Sequence, residues 1–495
     1  MNREGSEAGA VVVGLAFLGV LAWSMTSVSY DIWGAMILAP LYGLVGVALL
    51  RRMFRYELRP VAVALSWGLL LKLGGAFARY WVGFEAYGGA IDAGRYHQYA
   101  GAKANEIWAG SVDAFDVLPA GTGTEFVENL TAVVFALTGT SLLGGFVTFS
   151  FLAFIGVALF VKAASVAIPG LAVRRYAWLC AFFPSLVYWP SSIGKEALII
   201  LGTGVATYGV ALLVTQRQRF GALMLISIGL GFTAIVRPHI AGLWLAAVLP
   251  AIVLAVVRGR RASAESSSRF AMLIVLAIAS VCFVGLAAFT LRFLGDITDD
   301  SGANSLTTIL DETQRRTSEA NSTFVPPSIS SPANWPFAAI RTLVRPLPFE
   351  ARGFAQLLAA GEIMLLAGAY LYWWRSVVRI PRLLLKVPYV LFALGVVFLG
   401  GLVFASLANT GILTRQKSLL FPLLLVLPCL PIQLPRMARP RDGNDGVEAR
   451  HGADVGGEVS SGVDTVPARV GLAPSRSTKA MSEDELDEFW REEVR

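Results

Sequence analysis

Lys195-Glu-Ala-Leu-Ile-Ile-Leu-Gly-Thr-Gly-Val-Ala-Thr-Tyr-Gly-Val-Ala-Leu-Leu-Val214 decides the fold. After Glu196 it runs uncharged to Val214, close to the twenty apolar residues that cross a hydrocarbon core about 30 Å thick. Runs of similar length recur on both sides of it. The whole chain has a mean hydropathy of +0.63, and 15% of its residues are charged. A soluble domain carries roughly a quarter. The composition is that of a membrane protein, and the expected fold is an all-α polytopic transmembrane helix bundle.

Working outward, about twelve spans are expected, at 8–27, 33–50, 61–80, 143–162, 177–190, 196–214, 219–236, 240–257, 270–291, 355–374, 387–408 and 417–434. A weaker apolar stretch at 130–140 reads as a re-entrant or interfacial helix. Lys and Arg concentrate in every second connection: Arg51, Arg52, Arg55 and Arg59; Lys162, Arg174 and Arg175; Arg217 and Arg219. The pattern continues with Arg258, Arg260 and Arg261, then Arg375, Arg379, Arg382 and Lys386, then Arg436, Arg439 and Arg441. Cytoplasmic loops are basic in this way, so both termini are expected in the cytoplasm. The net charge of +7 is scattered among these clusters, which argues for topology and against a nucleic-acid stripe.

This scheme makes residues 1–440 the membrane domain, with two long external loops at 81–142 and 292–354. The second is polar and rich in Pro and Ser, either a lid or partly disordered. Residues 441–495 read as a disordered cytoplasmic tail. It closes on a capping-box pattern, Ser482 to Glu485, followed by Leu486, Phe489, Trp490 and Val494 at helical spacing. That short helix, 482–495, is either a docking element for a cytoplasmic partner or a frayed end. Cys180, Cys282 and Cys429 lie in apolar runs without paired spacing, so they read as small core residues.

The external face then collects Asp92, Arg95, Tyr96, His97, Lys195, Glu196, Arg237, His239, Arg415 and Lys417. Ionisable groups at a membrane are costly and point to function. Asp92, Arg95, Tyr96 and Tyr99 share one face if a helix starts after Asp92. Asp92 has two readings, a general base for a sugar hydroxyl and a helix cap. His97 reads as a phosphate donor or a packed surface residue. Lys195 and Glu196 form either an anion site at a helix start or an ion pair that anchors it. Arg237 and His239, around a helix-breaking Pro238, suit a phosphate, and Arg415 and Lys417 complete a cationic rim or anchor the interface. No convergent metal set and no Gly-rich nucleotide loop is present in the sequence, so no cofactor is expected.

Three stretches carry a resemblance: Ala90-Ile-Asp-Ala-Gly-Arg-Tyr-His97, Phe183-Pro-Ser-Leu-Val-Tyr-Trp-Pro-Ser-Ser-Ile-Gly-Lys-Glu196 and Thr410-Gly-Ile-Leu-Thr-Arg-Gln-Lys417. With the many spans and the large first external loop, the chain resembles the GT-C membrane glycosyltransferases over roughly 60–435. The nearest are those that use lipid-phosphate sugars: protein mannosyltransferases and bacterial lipopolysaccharide or cell-wall transferases. The resemblance implies a bacterial plasma-membrane enzyme with a polyprenyl-phosphate sugar donor and an envelope glycan, lipid or protein acceptor. It makes Asp92 the catalytic base, with Lys195, Arg237 and His239 holding the leaving phosphate and Arg415 joining them if the last external turn reaches the site. The chain departs from the family in two ways: an added hairpin, 8–50, precedes the acidic loop, and Asp92 has no acidic partner beside it. A polysaccharide polymerase or ligase, and a lipid-linked-sugar flippase, are the alternatives.

Overall fold

Helices make up nearly everything that can be described, and no strand occurs among the described residues. In the computed structural model these are residues 3–54, 59–89, 91–118, 121–215, 219–259, 324–327 and 331–434, with single positions between 277 and 315. The expected span at 270–291, most of the second long loop and the tail with its terminal helix lie outside them.

The first half of the chain forms α1 (Arg3–Ser27), α2 (Tyr30–Met53), α3 (Arg59–Trp81), α4 (Asp92–Trp108), α5 (Ala114–Val117) and α6 (Thr124–Thr138). It continues through α7 (Leu142–Ala167), α8 (Val173–Phe182), α9 (Pro184–Tyr188), α10 (Lys195–Val214), α11 (Arg219–Val236) and α12 (Pro238–Gly259). Then come α13 (Trp335–Val344), α14 (Phe354–Tyr372), α15 (Pro388–Val403), α16 (Thr410–Lys417) and α17 (Phe421–Leu425). Seven helices among the described residues are long and apolar enough to cross a membrane. They are Tyr30–Met53, Arg59–Ala86, Leu142–Ala167, Lys195–Val214, Pro238–Arg258, Phe354–Tyr372 and Pro388–Ser406.

The expected count of about twelve is therefore not reached here. The 177–190 segment is not one span: Pro184 has no N–H to donate, and Phe183 before it is extended (φ −69°, ψ 121°), so α8 stops and α9 starts anew. Thr410–Lys417 and Phe421–Cys429 pass only as a pair bent by 59°, which would make an eighth span. The apolar parts of α1 and α11, Val11–Ser27 and Phe220–Val236, are shorter helices. The first long loop is largely helical, with α4 packed along α6.

α7 and α10 form the centre: 83% of each apolar window is buried, against 22% for α2 and 28% for α14. Lipid gives little hydrophobic reason for helices to associate, so close backbone approach through small residues has to drive the packing. Gly156 and Gly204 supply it between α7 and α10, because a Cβ at Gly156 would overlap the Ile200 carbonyl. Gly202 and Gly229 do the same between α10 and α11. This packing fixes the start of α10, and with it Glu196.

Candidate functional site

The end of α3 unwinds into a π turn, Val82–Ala86, and the chain then reverses at Gly88 and Gly89. Their φ values of 58° and 79° suit only glycine without strain. The reversal starts α4 at Asp92 beside Arg79 of α3. Ile91, not Asp92, is the N-cap residue, and no side chain caps this helix. The Asp92 carboxylate instead accepts from Arg415 Nη1 of α16 at 3.2 Å. Its side chain is 57% exposed.

Glu196 ties the site together. It sits in the first turn of α10 with 3% of its side chain exposed. Oε2 accepts from Arg415 Nη2 at 2.7 Å and Oε1 from Arg237 Nη2 at 3.2 Å. Arg237 also donates through Nη1 to Gln416 Oε1 at 2.5 Å. Asp92, Arg415, Glu196 and Arg237 thus form one continuous ionic chain across α4, α16, α10 and the α11–α12 junction. Of the two readings of Lys195 and Glu196, the direct ion pair does not form: Lys195 Nζ donates to Thr124 Oγ1 of α6 at 2.8 Å. Lys195 still lies within electrostatic reach of Arg237, Glu196, Asp92 and Arg415.

Tyr96, one turn after Asp92, is buried. Burial raises its phenol pKa above the ordinary value, and the charges of Asp92 and Glu196 raise it further against the opposing charge of Arg415, so the phenol stays neutral. Next to Asp92 opens a cavity of about 220 Å³ lined by Arg79, Ile91, Asp92, Ala93, Ser192, Ile193 and Arg415. Arg79 carried no expectation from sequence. Its guanidinium lies 4.9 Å from the Tyr188 ring centroid and 5.1 Å from that of Trp189, and Nη1 donates to the Tyr188 hydroxyl at 3.0 Å.

Three expected residues take other positions. Arg95 turns to Glu128 of α6 (3.2 Å), with 62% of its side chain exposed, so it is spent on the α4–α6 hairpin. His97 faces the other side of α4, where Nε2 lies 3.6 Å from Asp31 of α2 and the ring meets Phe135 edge-on. Lys417 is buried and donates to the Leu343 and Arg345 carbonyls, so it completes no rim. His239 adjoins the cluster through its electrostatic contact with Arg237 and Lys195, and its Nδ1 is buried without a hydrogen-bond partner. No group of His, Cys, Asp and Glu among the described residues is suited to a metal ion.

A carboxylate with an open face beside two guanidiniums can take a proton from a hydroxyl while the cations hold an anion. The long apolar helices mark a multi-pass membrane protein. Comparisons with protein-family models, curated proteins and solved structures find no match.

Proposed function

We propose that the chain is a membrane glycosyltransferase that moves a sugar from a polyprenyl-phosphate donor to a glycan, lipid or protein acceptor of the cell envelope. One observation carries the reading: the open Asp92 carboxylate shares a cavity with Arg79 and Arg415. The acceptor hydroxyl attacks the anomeric carbon and gives its proton to Asp92. The bond from that carbon to the phosphate oxygen breaks, and the phosphate leaves with the electron pair. The guanidiniums stabilise the charge that develops on it. The resemblance to the GT-C enzymes and the basic clusters between apolar runs support a site on the external side of a bacterial plasma membrane.

Lys72 and Glu362 favour a flippase as the second reading, since both are buried inside candidate spans. Both, however, are spent on the break around α9. Lys72 Nζ donates to the Leu186 carbonyl at 2.6 Å, and Glu362 accepts from the Ser185 N–H at 2.6 Å.

Asp92→Asn is expected to abolish sugar transfer from a polyprenyl-phosphate donor in membranes where the variant accumulates normally. Full transfer by that variant removes Asp92 as the base. Flux of the lipid-linked sugar in proteoliposomes without covalent transfer ends the enzyme reading.

A further inference from the structure

We infer that the cavity between Arg79 and Arg415 is a phosphate seat, and that a phosphate bound there unmasks Asp92 by taking over the Arg415 arm that now holds it. The inference deepens the reading of Asp92 as the base and rests on it.

Charge is the first argument. Arg79 and Arg415 stand against Asp92 on the wall of this cavity, and Lys195 and Arg237 stand behind Arg415 against Glu196. Arg95 does not alter the balance, because Glu128 answers it. Four cations facing two carboxylates, in a partly desolvated cluster, leave an excess that an anion relieves.

Arg79 is the second. Two aromatic faces and the Tyr188 hydroxyl hold its guanidinium in place, while its Nε is buried without a hydrogen-bond partner. It is a positioned cation on the cavity wall that no ion pair among the described residues uses. Phosphate suits it, since a guanidinium donates in a planar fork that matches phosphate oxygens.

The third argument is that the two arms of Arg415 are unequal. Nη2 is held at 2.7 Å by Glu196, whose side chain is 3% exposed. Nη1 reaches Asp92 at 3.2 Å, where the carboxylate is 57% exposed. A solvated pair is weak, so the Nη1 arm is the one an incoming phosphate anion takes. Glu196 keeps Arg415 in place during the exchange. Asp92 is then left on the cavity wall with its carboxylate free to accept a proton. The base thus becomes available once the donor's phosphate is seated, and the donor binds first.

The full chain in detergent micelles is titrated with inorganic phosphate and, in a second arm, with decyl phosphate. Binding is read by calorimetry. Asp92→Asn removes the competitor and is expected to tighten binding by about three-fold or more. Arg415→Met and Arg79→Met are expected to weaken it at least about ten-fold. Arg79→Lys keeps a cation against the same aromatic rings and is expected to weaken binding as well, which guards against a folding defect in Arg79→Met. The same order with both probes supports a seat for the phosphate group itself; that order with decyl phosphate alone supports a seat for lipid-borne phosphate. Equal affinity in all variants, as for an adventitious ion only, overturns the inference, and so does unchanged or weaker binding in Asp92→Asn. If Asp92→Asn binds more tightly but the wild-type chain transfers no sugar, the enzyme reading falls while the seat stands. If Asp92→Asn loses transfer without binding phosphate more tightly, the exchange falls while the base stands.

Discussion

Glu196 Oε2 accepts Arg415 Nη2 at 2.7 Å across 219 positions of sequence, and the carboxylate is almost wholly buried. Arg237 holds its other oxygen, so three separate elements are fastened at one point. Removing one member of such a cluster leaves the other charges buried and unanswered, at a cost of about 3–5 kcal/mol. Glu196→Ala is therefore expected to lower the unfolding midpoint in detergent strongly. Glu196→Gln, which keeps the shape and one acceptor, should fall between it and the wild type. A Glu196→Ala chain as stable as wild type would show that the cluster carries no such strain.

Asp92 differs in kind. Its bond to Arg415 is half in solvent, and exposed pairs contribute about 1 kcal/mol at most. Asp92→Asn should therefore unfold close to the wild type while losing transfer. Arg95→Ala, three residues along the same helix, should lose neither stability beyond about 1 kcal/mol nor transfer, because Arg95 serves Glu128. Measuring unfolding and transfer on both variants separates a chemical role from a structural one. Loss of transfer in Arg95→Ala would mean that the α4–α6 hairpin itself shapes the site.

These residues also show what the sequence made legible. Apolar run length located α3, α7, α10, α12, α14 and α15, because a span needs little more than length and apolar content. Run length says nothing of packing, so it missed the break at Pro184, where proline overrides a continuous apolar pattern. The spacing of Asp92, Arg95 and Tyr96 gave their order along α4 but not their contacts: Arg95's long side chain reaches back to Glu128 of α6. Glu196 could be singled out but not its partners, since Arg237 and Arg415 meet it only through tertiary folding. Arg79 offered no signal: an arginine near the end of a span looks like an interfacial anchor until Tyr188 and Trp189 close around it.

His97 gives a pH dependence with a definite sign. Burial pushes its pKa below the ordinary value near 6.5, and the Asp31 carboxylate opposes this only in part. The unfolded chain thus takes up a proton at this residue before the folded one does. Its contribution to stability is complete above about pH 6.5 and is lost as the pH falls below that, until the folded imidazole also protonates. His97→Gln should flatten the decline in unfolding midpoint between about pH 6.5 and pH 5. An equally steep decline in that variant would place the titration elsewhere.

Glu362 decides between a helix prop and a coupled transport group. Within candidate span α14, its carboxylate accepts the Ser185 N–H at 2.6 Å and the Ser185 hydroxyl at 2.5 Å, at the start of the short helix α9. The break at Pro184 leaves the first N–H groups of α9 without helical partners, and in a membrane interior no water can satisfy them. A carboxylate answers that need with two acceptors, whereas an amide offers one acceptor and turns a donor toward Ser185. Glu362→Gln is expected to cost about 1–3 kcal/mol in unfolding stability. The pH profile of transfer should keep its shape, because Glu362 has no part in the proton movement at Asp92. If the variant unfolds like the wild type but shifts the pH profile of lipid-linked-sugar flux in proteoliposomes, Glu362 is a titrating transport group and the flippase reading takes over.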